Sequence, residues 1–159
     1  MRIVFFQPDI PQNLGAAMRT AACFGAGMDI VEPCAFPLTD KGIRKAAMDY
    51  GAAISPVRHA GWNTYTESAE AAAGRLVLFT TAGATDLWEF TFRPEDRLLF
   101  GRESAGVPED VHLAAECRVR IPIRDGMRSL NVATSAGIAL AEASRQFYRD
   151  AGTDRRAHQ

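Results

Sequence analysis

Short apolar runs alternate with segments of helical period along almost the whole chain, and this limits the possible folds more than any other feature. Residues 2–6 read as a buried strand. A loop follows at 8–11, then a helix from about 12 to 25, with Leu14, Ala17, Met18, Ala21 and Ala22 recurring at helical spacing. Further strands are expected at 28–31, 55–59, 76–80, 97–100 and 118–123. Further helices are expected after Asp40, at 64–73, at 108–113 and at 130–148. Strands alternating with helices specify an α/β domain with a mostly parallel sheet and flanking helices. In such sheets ligands bind beyond the carboxyl ends of the strands. Attention therefore goes to residues 7–15, 80–83, 101–106 and 123–131.

The 159 residues are one domain's worth of chain, read as a single domain over 1–150 with a polar, frayed tail at 151–159. No run approaches the ~18 apolar residues of a membrane span. The apolar stretch at 3–6 is stopped by Pro8 and is no signal peptide. Cys23, Cys34 and Cys117 form no C-x-x-C pair and no zinc spacing, and His59, His112 and His158 are scattered. A reduced cytoplasmic protein without a metal is the expectation. The formal net charge of −1 argues against coating nucleic acid by bulk charge. Yet sixteen of the eighteen basic residues are arginines, since only Lys41 and Lys45 are lysines. Arginine is the donor fork suited to phosphate at defined points.

The usual nucleotide sites are missing. The first strand is followed by Q-P-D-I-P-Q-N-L-G rather than G-x-G-x-x-G, and no G-K-[ST] occurs. Glu103-Ser104-Ala105-Gly106 resembles the end of a nucleophile elbow, but residue 102 is arginine where that motif needs glycine.

Three segments carry polar chemistry after strands or at helix starts. Asn13-Leu14-Gly15-Ala16-Ala17-Met18-Arg19 opens the first helix, with Asn13 open to reading as an ordinary N-cap. Phe100-Gly101-Arg102-Glu103-Ser104-Ala105-Gly106-Val107-Pro108 joins a strand to a helix through two glycines and a charged pair. Ile121-Pro122-Ile123-Arg124-Asp125-Gly126-Met127-Arg128-Ser129-Leu130-Asn131-Val132 leads into the last helix. There Ser129 reads as a candidate N-cap that would leave Asn131 inside the first turn.

In this order and at these spacings, the three segments resemble the motifs of the SPOUT superfamily of RNA methyltransferases, in its SpoU (TrmH-like) branch. The motifs are N-x-G-x-x-x-R, F-G-x-E-x-x-G-x-P and I-P…S-L-N-V. Ile10-Pro11-Gln12-Asn13-Leu14-Gly15, Asp49-Tyr50 and Phe79-Thr80-Thr81-Ala82-Gly83 further resemble that branch's tRNA wobble-nucleotide 2′-O-methyltransferases.

The resemblance implies a C-terminal deep trefoil knot, which periodicity does not show. It implies S-adenosyl-L-methionine as cofactor, leaving S-adenosyl-L-homocysteine as product, and a homodimer. Backbone groups around Phe79, Thr80, Gly101, Arg102, Glu103, Ile121, Ile123, Ser129 and Leu130 would hold the cofactor. Arg19, Ser129, Asn131 and Glu103 would carry catalysis, with Glu103 fixing the cofactor loop through Arg102 or Arg128. Asn13, Arg19, Arg124 and Arg128 would meet the tRNA anticodon stem-loop, where the wobble cytidine or modified uridine is methylated. The first strand starts at Arg2, so RNA binding is expected from the catalytic domain and its dimer. No membrane or DNA partner is expected. Two rivals stay open: a SPOUT enzyme acting at another tRNA or ribosomal RNA position, and a knotted RNA-binding protein without catalysis.

Overall fold

The structure is a computed structural model that describes residues 1–39, 54–83 and 85–156, with backbone alone from 149 onward. The helix expected after Asp40, and the Asp49-Tyr50 pair, lie outside these residues. Seven strands form one sheet, β1 (Arg2–Phe6), β2 (Gly27–Val31), β3 (Val57–His59), β4 (Leu76–Phe79), β5 (Thr85–Asp86), β6 (Arg97–Phe100) and β7 (Cys117–Arg120). Their order across the sheet is β3-β2-β1-β6-β4-β7-β5. Every ladder in it is parallel. Among the described residues five α-helices accompany it: α1 (Pro11–Phe24), α2 (Trp62–Thr66), α3 (Ala69–Ala72), α4 (Glu109–Ala114) and α5 (Val132–Arg156).

The strands read as apolar runs because both faces of the sheet are covered. In β1, Ile3 and Phe5 enter one core with Leu14, Ala17 and Met18 of α1 and with Ala136, Ala139 and Leu140 of α5. Val4 and Phe6 enter the opposite core with Tyr65 of α2, Ala71 of α3 and Val111 of α4. Each such large side chain contributes about 1.5–3 kcal/mol on burial. Small residues, Ala17 and Ala21 of α1 and Ala133, Ala136 and Ala139 of α5, share this core with Leu14, Met18 and Leu140. A Cβ on Gly137 would sit 3.6 Å from Thr20.

Several boundaries differ from the sequence reading, each for a local reason. The helix expected at 64–73 is two helices, because the Ser68 hydroxyl caps α3 by accepting from the Ala71 N–H at 3.2 Å. The strand expected at 118–123 ends at Arg120, ahead of Pro122, which has no N–H to give a ladder. The last helix starts at Val132 and runs on to Arg156, through most of the segment expected to fray. Its alanines and arginines favour helix, and Gly152 costs only about 1 kcal/mol there. The two-residue β5 and the 3₁₀ turn at Leu87–Glu89 were not anticipated.

One buried polar pair joins β2 and β3, away from the carboxyl-end loops of β4 and β6. Asp29 accepts from Arg2 Nε at 2.6 Å and pairs with His59 Nε2 at 2.9 Å. With Glu70 these groups bring ligand atoms within 4.8 Å of one another, but the Arg2 guanidinium already satisfies the carboxylate and opposes a cation.

The connection from β4 to β5 is only five residues long, yet β7 lies between those two strands. The crossing is tight. Thr80 N–H donates to the Val119 carbonyl at 3.0 Å, and a Cβ on Gly83 would stand 2.5 Å from the Val119 carbonyl carbon. Only glycine lets the two backbones approach this closely. Gly83→Ala should therefore destabilise the protein by about 1–3 kcal/mol. Urea unfolding measures this, and Gly61→Ala, with nothing within 4 Å of the new methyl, serves as the unchanged control.

Candidate active site

A cavity of 520 Å³ opens beyond the carboxyl ends of β4, β6 and β7. Its size falls within the roughly 300–1,000 Å³ of small-molecule sites. Phe79 and Phe100, stacked with ring centroids 5.0 Å apart, form part of its apolar wall with Ile121, Ile123 and Leu130. Thr80, Asn13, Ser129 and Asn131 add polar groups.

The loop after β6 is shaped by its two glycines. Arg102 and Gly106 exchange N–H···O bonds, each 2.9 Å, which folds residues 102–106 into a tight turn. Gly106 has φ +66, and a Cβ on Gly101 would fall 2.5 Å from the Gly106 carbonyl carbon. The turn leaves Glu103 half-buried and aimed at the start of α1.

From Glu103 a hydrogen-bond chain crosses the site. Glu103 Oε1 accepts from Asn13 Nδ2 at 3.0 Å, and Asn13 Oδ1 accepts from Asn131 Nδ2 at 2.9 Å. Asn131 Oδ1 accepts from the N–H groups of Ala133 and Thr134 at 2.9 and 3.2 Å. A carboxylate can only accept and a backbone N–H can only donate, so both amides have one possible orientation. Each of the three sequence motifs supplies one member of this chain. Glu103 Oε2 accepts in turn from the Asp9 N–H at 2.8 Å. Asp9 Oδ2 accepts from the Ser104 N–H at 2.9 Å and from the Ser104 hydroxyl at 2.6 Å. These bonds from Ser104, the hydroxyl foremost, hold the Asp9 carboxyl below its usual range.

The structure thus corrects three local readings. Asn131, not Ser129, caps the last helix, because its side chain takes the free N–H groups of the first turn. Asn13 does not cap α1. That helix begins at Pro11, so Asn13 lies inside its first turn and turns its amide to Glu103. The hydrogen bonds of Glu103 run to Asp9 and Asn13, not to Arg102 or Arg128. The Arg102 guanidinium lies 5.6 Å over the Phe6 ring, and Arg128 is exposed.

The residues expected around a cofactor, from Phe79 and Thr80 to Ser129 and Leu130, line this cavity, as do Gly101, Arg102, Glu103, Ile121 and Ile123. Arg19, Arg124 and Arg128 do not line it. Arg19 follows Asn13 by six positions on α1, about 9 Å along the axis and roughly 240° around it. Asp9 and Ser104 were not singled out as functional. Both lie in the inspected loops, but a pair 95 residues apart leaves no spacing signal.

The donor set fits S-adenosylmethionine. Aromatic and aliphatic walls suit an adenine ring, and loop backbone suits its polar edge. Arg102 Nε is, among the described residues, a buried side-chain nitrogen without a partner, a donor suited to an anionic group such as the cofactor's carboxylate.

Comparisons with known proteins agree with this geometry. Residues 1–141 match the SpoU rRNA Methylase family. A tRNA (cytidine(34)-2'-O)-methyltransferase of Beijerinckia indica subsp. indica is 47% identical over 144 residues, covering 91% of this chain and 90% of that protein. One from Ancylobacter novellus is 46% identical over 146 residues, 92% of each. A solved structure concerned with 2-OH methylation of C/U34 on tRNA has a TM-score of 0.85 at 36% identity, over 92% of this chain and 95% of that one. The SpoU methyltransferase AviRb from Streptomyces viridochromogenes, in complex with the cofactor AdoMet, has a TM-score of 0.82 at 29% identity, over 94% of this chain and 61% of that one. With its motifs converging on one cavity and this match over nearly its whole length, the chain belongs to the SpoU methylase family.

Proposed function

We propose that the protein is an S-adenosylmethionine-dependent tRNA methyltransferase that modifies the ribose 2′-hydroxyl of the wobble nucleotide, cytidine or a modified uridine, in the anticodon loop. The observation that carries the reading is the Glu103–Asn13–Asn131 chain, which draws all three motifs onto one 520 Å³ cavity. Relatives at 46–47% identity over most of both chains carry that activity in their names.

When bound, the cofactor supplies a methyl group on a positively charged sulfur, already activated for transfer. The protein's task is alignment and stabilisation of charge developing on the ribose oxygen. Loop backbone at Phe79–Thr80, Gly101 and Ile121 would hold the cofactor. Ser129, exposed on the cavity wall, orients the hydroxyl. Asn131 has both amide groups committed to Asn13 and to α5, so it acts by holding the loop. Arg19 stabilises the oxyanion and contacts phosphate, while the proton leaves to phosphate or water. A guanidinium is too weakly acidic to serve readily as a base.

Arg19 stands off the cavity of its own chain. In the homodimer of this reading it serves the second copy's cavity. Arg124 and Arg128, exposed on the loop after β7, meet the RNA backbone, and affinity falls as salt rises. The connection over β7 is read as the deep trefoil knot; the insertion of β7 between β4 and β5 supports it. A tRNA substrate supports a cytoplasmic location. Among the described residues no helix is long and apolar enough to cross a membrane.

Arg19→Ala should retain cofactor binding and lose methyl transfer by orders of magnitude, as read by calorimetry and by nucleoside mass analysis of methylated tRNA. Near-normal turnover would remove Arg19 from the mechanism. Mixing inactive Arg19→Ala chains with inactive Ser129→Ala chains should restore about a quarter of the activity, since half the two-fold dimers are then mixed and carry one intact site. No recovery would assign Arg19 to its own chain's cavity. Asn13→Asp should destabilise the protein at neutral pH by placing a second carboxylate against Glu103. Repulsion raises the new carboxyl's pKa, so the loss should shrink as pH falls through that raised value. Thermal unfolding between about pH 4 and 8 reads this out, the range running upward from the ~4 of a free carboxyl.

A further inference from the structure

We infer that Asp9 and Ser104 are positioning residues for methyl transfer, forming a clasp that holds the turn after β1 against the loop after β6 and so sets the shape of the cofactor cavity. The inference rests on the reading just given.

The clasp runs in both directions. Asp9 gives its N–H to Glu103 Oε2 at 2.8 Å, and its carboxylate takes the N–H and the hydroxyl of Ser104 at 2.9 and 2.6 Å. Ser104 is exposed and Asp9 is partly so, and neither belongs to a hydrophobic core. The start of α1 lacks the usual local device: its N-cap residue is Ile10, which makes no side-chain cap. The position of Asn13, two residues into that helix, therefore depends on what holds Asp9. The loop after β6 is closed on itself by the Arg102–Gly106 pair, so it moves as one piece. Releasing Ser104 displaces Glu103 and Gly101 with it. Both are on the cavity wall, and Glu103 holds the amide of Asn13. Asp9 itself does not line the cavity, so its effect on a ligand passes through these neighbours.

Loss of a charge-assisted bond in this clasp should weaken ligand binding by about tenfold. Calorimetry with S-adenosylhomocysteine on the full chain measures it, with the unfolding midpoint followed in parallel. Asp9→Ala should raise Kd about tenfold at temperatures well below unfolding. Ser104→Ala, which keeps the N–H, should have a smaller effect, and Ser104→Thr, which keeps both donors, should bind as the unsubstituted chain does. The double variant Asp9→Ala/Ser104→Ala should match Asp9→Ala alone, as for partners in one interaction. A fall in the unfolding midpoint with Kd unchanged would overturn the clasp's positioning role, and so would additive effects in the double variant. If Asp9→Ala fails to fold, the Ser104→Ala and Ser104→Thr pair decides, with equal Kd values overturning the inference. An unsubstituted chain that binds no S-adenosylhomocysteine would remove the proposed function and this inference together. Normal binding that survives Asp9→Ala would remove the inference alone.

Discussion

The site depends on a directional chain of hydrogen bonds from the free N–H groups of α5 to the carboxylate of Glu103. Its direction is imposed at both ends: the helix can only give hydrogens, and the carboxylate can only receive them. Asn131 and Asn13 fit between because an amide accepts on one side and donates on the other. The chain links α5, α1 and the loop after β6, three of the elements that border the cavity. Among the described residues Glu103 has no ion-pair partner, and its carboxylate is met by an amide and a backbone N–H, with the N-terminal end of a long helix behind the amides.

The sheet makes that meeting possible. β1 and β4 flank β6, so the loops after all three strands emerge side by side. Motif residues separated by 90 and 118 positions come within hydrogen-bond reach. The apolar strands are anchored on both faces, which leaves their carboxyl-end loops free to carry polar groups.

The long strands β1, β4 and β6 were legible because burial on both faces gives an uninterrupted apolar run. β5, with two residues, has no period to read, and Ser68 broke a helix that alanine content alone would continue. Asn13, Glu103, Ser129 and Asn131 were legible as polar residues at the right ends of strands and helices. Their partners were not. Local spacing offered Ser129 as the helix cap, a role that Asn131 takes two positions on, while the partners of Glu103, Asp9 and Asn13, lie 94 and 90 positions away. Arg19 shows the same limit, since its helix position is plain but it does not line the cavity of its own chain.

The insertion of β7 between β4 and β5 has a consequence for biosynthesis. Both neighbours of β7 are synthesised before it, and the chain already bridges them. Until residue 120 emerges, β4 keeps an unpaired edge and β5 has no partner strand, the kind of surface that recruits foreign strands. The strand that pairs with both leads directly to Ser129 and Asn131. A truncated or stalled chain would therefore lack Asn131, which joins the polar chain to α5, and the part of the cavity wall that Ile121, Ile123, Ser129 and Leu130 form. Competence to modify a substrate thus arrives in a single late step, together with protection of the exposed edges.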